Sequence, residues 1–158
     1  MPLKLRKAML QDSALLLALR NDPVTVAMSI TNKPVTEAEH DRWLVRVLCD
    51  TSWHVYVAMA DVRVEAWQPE DWQPVGTGRL QESEPTVVTV SYAIGAPWRG
   101  RGYGGQVLDQ LCEQAIRLGY GQIRALVRPR NTPSIRLLLG QQFEAENVEL
   151  WTFRRSLF

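Results

Sequence analysis

Thiols and imidazoles are scarce: two cysteines, Cys49 and Cys112, and two histidines, His40 and His54, in 158 residues. Each cysteine lies in a helical pattern with apolar neighbours, so both read as core thiols and a disulfide scaffold has no support. The four residues are too widely spaced for a zinc motif, and no metal is expected. Long apolar segments are missing as well. The longest run, Ala14 to Leu19, is far short of the roughly 20 residues that cross a bilayer, and no basic-then-apolar leader opens the chain. A cytoplasmic protein without a membrane partner is the expectation. Net charge is only +1, which argues against the broad basic face of a nucleic-acid binder.

The remainder is ordinary globular material, 46% apolar and 22% charged, long enough for a single domain, 1–158, to enclose a core. Its charge is unevenly spread. From Ala96 to Gly140 stand seven arginines (99, 101, 117, 124, 128, 130 and 136) against Asp109 and Glu113, an excess of five that leaves about −4 on the rest. Such asymmetry reads either as a solvated surface or as a grip on a compact polyanion.

Leu3 to Arg6 alternates apolar and basic residues and reads as a strand. Asp12 stands as the N-cap of a helix reaching Arg20, which Asn21-Asp22-Pro23 interrupts. Thr36-Glu37-Ala38-Glu39 has capping-box spacing before the stripe Trp43, Leu44, Val47, Leu48, so a second helix follows. Trp53 to Ala60, Val75 to Leu80 and Thr86 to Ile94 are strands by β-branched and aromatic content. The loop 65–74 carries Trp67 and Trp72; either their indoles fold back on their own strands, or the loop is a lid or a homodimer contact. Helices from Gly104 to Leu118, stopped by Gly119, and from a Thr132-Pro133 start to Gly140 flank a short strand Ile123 to Val127. Phe143 to Arg155 reads as closing strands. The interleaving predicts an α/β fold with a mixed, largely antiparallel sheet.

The chemistry is concentrated where a strand, a glycine-rich turn and a helix follow one another directly. Free amides at the helix start converge on one point, where the helix dipole also favours negative charge. Gly100, Gly102, Gly104 and Gly105 remove side chains so that a pyrophosphate can approach the main chain, while Arg99 and Arg101 add charge. The spacing Gly100-Arg101-Gly102-Tyr103-Gly104-Gly105 also fits the dinucleotide fingerprint, but the opening βαβ unit and its acidic residue are missing. A phosphate-binding loop ending in Gly-Lys-Ser/Thr is absent.

The stretch Ile94 to Gly104 resembles the acetyl-CoA motif of GNAT acetyltransferases, Q/R-x-x-G-x-G/A, satisfied by Arg99, Gly102 and Gly104. The likeness continues to Asn131-Thr132-Pro133-Ser134, similar to the family's N-x-x-S, and to Phe143. It implies the GNAT fold: a splayed parallel strand pair in a mostly antiparallel sheet, helices on both faces, and acetyl-CoA between the splayed strands. Pantetheine would pair with the backbone of Tyr92, Ala93 and Ile94, the pyrophosphate would rest on amides from Arg101 to Gly105, and Asn131 and Ser134 would hold the far side. The implied activity is direct attack of a primary amine on the thioester, with a backbone amide near Ile94 receiving the oxyanion. Leu138 stands where relatives place a proton-donating tyrosine, Gln142 where they place glycine, and Thr89 where many place a glutamate. A base must then come from elsewhere; Glu82, Glu84, Asp22 and His40 are the candidates.

A second, shorter likeness concerns the acceptor. Arg20-Asn21-Asp22, Ser29, Glu39-His40 and Trp43 resemble the pattern of the acetyltransferases that act on nucleotide-linked amino sugars in pseudaminic acid biosynthesis. It implies that Arg20, Asn21 and Trp43 line the acceptor pocket and that a nucleotide sugar is the small-molecule partner. A protein N-terminus or another small amine is the rival acceptor, and a non-catalytic acyl-CoA-binding module the rival class.

Overall fold

The computed structural model describes residues 2–147 and 152–158. Strand β1 (Leu3–Lys7) leads into α1 (Ser13–Asn21), α2 (Pro23–Met28) and α3 (Glu37–Leu48). Then come β2 (Trp53–Asp61), β3 (Trp72–Glu84), β4 (Val87–Ile94), α4 (Tyr103–Arg117), β5 (Gln122–Leu126), α5 (Thr132–Gly140), β6 (Glu144–Asn147) and β7 (Thr152–Ser156). The strands form one sheet in the order β1-β2-β3-β4-β5-β7-β6. Every pairing is antiparallel except β4 with β5, which run parallel and pair only from Val87–Gln122 to Thr89–Arg124. Beyond Thr89 the two strands part, and that wedge organises the site.

Both sheet faces are covered. Tyr56, Ala58, Leu80, Val88 and Val90 share a core with Val107, Leu108, Leu111, Cys112 and Ala115 of α4. On the other face Val55 and Val57 pack with Leu16 of α1 and Leu44 and Val47 of α3. Alternation of inward residues along β2 serves both cores, as the two-residue period of a strand requires. Among the described residues no helix is long and apolar enough to cross a membrane.

Several local expectations are revised. Asp12 stands at the N-cap of α1 but its carboxylate makes no capping bond: it accepts from Arg6, at 2.7 and 2.8 Å, and from the Met9 amide at 2.8 Å. The chain beyond Asn21 is helical again, because the Asp22 carboxylate accepts from the Val24 and Thr25 amides and Pro23 suits a helix's first position. The cap of α5 is Asn131, one residue before the expected threonine; its side-chain oxygen accepts from the Ser134 amide. Cys49, expected inside, is exposed at the end of α3, whereas Cys112 is buried. Strand β3 begins at Trp72, whose ring lies under the Lys4 ammonium at 3.8 Å, while Trp67 at the loop tip is 81% exposed. The expected closing strands are present as β6 and β7, with 148–151 outside the described residues.

The arginine excess also resolves differently from a simple polyanion grip. Arg99 pairs with Asp22, Arg117 with Glu113, and Arg124 with both Glu84 and Glu146. Arg128 donates to the carbonyls of Ser29 and Ile30, and Arg130 to that of Ala27. Most of this charge therefore links elements to one another. Arg101 is the exception near the glycine turn, its guanidinium resting 5.3 Å from the centre of the Trp98 ring.

Candidate active site

The site is built where β4 leaves β5. After Ile94 the chain makes a tight turn over Ala96–Trp98 and enters α4 through Gly100 and Gly102, both left-handed, with φ of +72° and +83°. Nothing lies within 4 Å of where a Cβ would project at either position. Among the described residues no protein acceptor engages the amides of Gly100, Arg101, Gly102, Gly104 or Gly105. These N–H groups form a bare, electropositive row at the start of a 15-residue helix. The expected pyrophosphate residues are thus brought together by the fold.

Helix α5 forms the opposite wall. The Tyr92 hydroxyl and Ser134 Oγ lie 2.9 Å apart, joining β4 to the first turn of α5. Burial pushes the Tyr92 phenol up, with the Ser134 contact opposing, so it stays protonated at neutral pH. A Cβ on Gly104 would sit 3.7 Å from Leu137 and 3.9 Å from the Tyr92 ring, which places this glycine in the same narrow space. Asn131 and Ser134 accordingly lie at the cleft, though the Asn131 oxygen is engaged in capping and the Ser134 hydroxyl in the Tyr92 contact.

Arg99 faces away from the bare amides. Its Nε donates to the Ile94 carbonyl at 3.0 Å and its Nη2 to Asp22 at 2.5 Å. Helix α2 is therefore held at its start by the segment following β4 and at its end by Arg128 and Arg130, which follow β5. A short helix lies strapped between the chain segments that leave the two splayed strands.

The proposed bases are scattered. Strand register pairs Gly76 with Ile94 but Glu82 with Val88; at about 3.3 Å per residue, Glu82 is roughly 20 Å down the sheet from Ile94. There it accepts from the Tyr120 hydroxyl at 2.9 Å, pushing that phenol up to about 12 together with burial, the larger cause. Glu84 lies further down and pairs with Arg124. Burial raises the Asp22 carboxyl, but the hydrogen bonds from Arg99 and Thr25 outweigh it and hold the group below the usual range. A carboxylate held so firmly in its ionised form is a weak proton acceptor.

His40 is only 4% exposed, its Nδ1 3.2 Å from Ser13 Oγ at the start of α1. Arg20 lies seven residues further along that helix, roughly 10 Å away. His40 is thus a packed histidine at the end of α1 remote from Ile94. Burial pushes it below its ordinary value, with Asp41 opposing. The unfolded chain then binds more protons than the folded one below pH about 6.5, so stability rises with pH through that window and levels off above it. His54 is lowered as well, by burial and then Lys7, and has the same sign. His40→Gln is expected to flatten this part of a stability-against-pH curve measured by urea unfolding, leaving the contribution of His54.

Of the residues expected to line an acceptor pocket, Asn21 is engaged elsewhere: its amide clamps Val35, donating to the carbonyl at 2.7 Å and accepting from the N–H at 2.8 Å. Arg20 and Trp43 do reach the interior. Trp43 is half-buried between His40 and Trp53. Sequence reading passed over Arg79, which projects from β3 to within 5.6 and 5.9 Å of the Trp43 and Trp53 ring centres. An arginine inside an alternating strand of otherwise small and apolar residues was the available signal.

The chain matches the acetyltransferase (GNAT) domain family over residues 3–144. It belongs to the GNAT acetyltransferase family. It is 29% identical over 150 residues to the uncharacterized N-acetyltransferase p20 of Bacillus licheniformis, covering 92% of this chain and 81% of that protein. A domain from Methanocaldococcus jannaschii has a similar fold, with a TM-score of 0.83 at 18% identity and 98% of each chain covered. So does an aminoglycoside acetyltransferase in complex with coenzyme A, with a TM-score of 0.80 at 20% identity, covering 98% of this chain and 95% of that one. This GNAT protein is an acetyl-CoA-dependent N-acetyltransferase, and its bare amide row and open glycine turn fit the cosubstrate's diphosphate.

Proposed function

We propose that this GNAT enzyme acetylates the primary amine of an amino sugar linked to a nucleotide, in the cytoplasm. The row of amides from Gly100 to Gly105, opposite α5, carries the cosubstrate assignment. Acetyl-CoA supplies an activated acetyl thioester. The chain's own part is to hold the diphosphate on those amides, to offer the edge of β4 from Tyr92 to Ile94 to the pantetheine, and to place an N–H near Ile94 at the developing oxyanion. The new C–N bond forms as the C–S bond breaks, and the thiolate leaves. Leu138 is fully buried and donates no proton, but a thiol of pKa about 8.5 leaves acceptably without one.

None of the four candidate bases stands beside Ile94 in a form ready to accept a proton, so deprotonation of the acceptor falls to solvent. The expected kcat/KM therefore rises about tenfold per pH unit below the acceptor amine's own pKa, with no inflection near 4 or 6.5. Release of CoA thiol, followed across pH with a panel of amino-sugar nucleotides, peptides and simple amines, tests the reading. Turnover of peptides combined with silence on every amino-sugar nucleotide removes the sugar assignment.

A further inference from the structure

Two half-buried arginines, Arg20 and Arg79, pair with no carboxylate among the described residues. Arg79 is half-buried on β3, opposite Val55 of β2 and Ser91 of β4. Residues directly opposite on neighbouring strands share a face, so Arg79 projects to the α1 and α3 side. Its guanidinium lies against Trp43 and Trp53, and among the described residues no carboxylate pairs with it. The charge that acts on it is another cation, Arg20. Burial, and secondarily that like charge, lower the Arg79 guanidinium from its ordinary value.

Arg20, in the last turn of α1, uses Nη2 on Thr31 Oγ1 at 2.9 Å and on the Lys33 carbonyl at 3.2 Å, but its Nη1 is buried without a hydrogen-bond partner. A buried donor left unmet costs free energy, and a second cation acting on it adds to the cost. An anion bound by both would offset these costs.

We infer that Arg20 and Arg79 form a subsite for an anionic group of the acceptor, a phosphate or a carboxylate, framed by the indoles of Trp43 and Trp53. This rests on the acetyltransferase reading and narrows its substrate class to amines that also carry negative charge. The half-buried face of Thr89, Ser91 and Ala93 on β4 connects the subsite to Ile94. From Ser91, opposite Arg79, to Ile94 is three residues, or roughly 10 Å, so the anion and the reacting amine stand several bonds apart. The same two cations repel polycationic acceptors, which separates this site from that of an enzyme acting on aminoglycosides.

The test compares a phosphorylated amino sugar with its unphosphorylated parent, and an ω-amino carboxylate with its amide, by CoA release with the wild-type enzyme and with Arg79→Met, Arg79→Lys and Arg20→Met. The wild type should favour at least one anionic member of these pairs by about tenfold or more in kcat/KM, since a charge-assisted hydrogen bond contributes on that scale. Which pair shows the preference tells phosphate from carboxylate. Arg79→Met and Arg20→Met should erase it through KM, with the KM for acetyl-CoA unchanged, and Arg79→Lys should restore part of it. Equal kcat/KM within both wild-type pairs overturns the subsite whatever the variants do. Turnover of no amine at all instead overturns the underlying acceptor reading, so the two failures are distinct.

Discussion

Gly102→Val is expected to abolish measurable acetyl-CoA binding while leaving a folded protein. At φ +83° an L residue is strained by about 1–2 kcal/mol, and a β-branched one more. No protein atom lies within 4 Å of the new Cβ, so the fold itself is not obstructed. The branched side chain instead stands over the amide row that the diphosphate needs. Calorimetric titration with CoA should show affinity lower by a hundredfold or more, and thermal unfolding a loss of only a few degrees. Gly102→Ala should fall between the two proteins. Wild-type affinity in the valine variant would remove the diphosphate from this turn.

The second large effect is expected at a residue that no motif marks. A Cβ on Gly76 would stand 2.4 Å from the Ala93 carbonyl oxygen and 3.0 Å from Ile94 Cδ1. The obstacle is backbone, so Gly76→Ala must push the β3 and β4 chains apart. Because the Ala93 carbonyl and the Ile94 N–H belong to one planar peptide, displacing the oxygen tilts the N–H assigned to the oxyanion. Loss of one such donor typically costs 10²–10³ in kcat. Gly76→Ala should therefore lower kcat by about that factor, with a smaller change in the KM for acetyl-CoA, since the amide row of α4 is untouched. It should also destabilise the sheet by about 1–3 kcal/mol in urea unfolding. A variant with wild-type kcat would show that the Ala93–Ile94 peptide has no part in the reaction.

The strap over the wedge relates these two sites. Arg99 holds the Ile94 carbonyl with one nitrogen and the start of α2 with another, while Arg128 and Arg130 hold the end of α2. The end of β4, the segment leading to the glycine turn, α2 and the segment after β5 are thereby one connected unit. A substitution in this unit acts on geometry as much as on charge.

Much of the site was legible in the chain itself. A strand of β-branched residues running into Arg99-Gly100-Arg101-Gly102-Tyr103-Gly104 can hardly fold without presenting free helix-start amides, because glycines at positive φ and an amphipathic helix fix that geometry locally. The fold followed for the same reason, each element announcing itself through its period and its stops. The bases did not follow: Glu82 and His40 are plausible by residue type, yet register and helix length place them away from Ile94. Nor did Arg79, whose meaning depends on two indoles and a second arginine from other elements. Short-range sequence determines backbone conformation, and with it the amide cradle; which distant side chains meet, and which charges are left without a partner, is decided only when the sheet register and the helices over it are set.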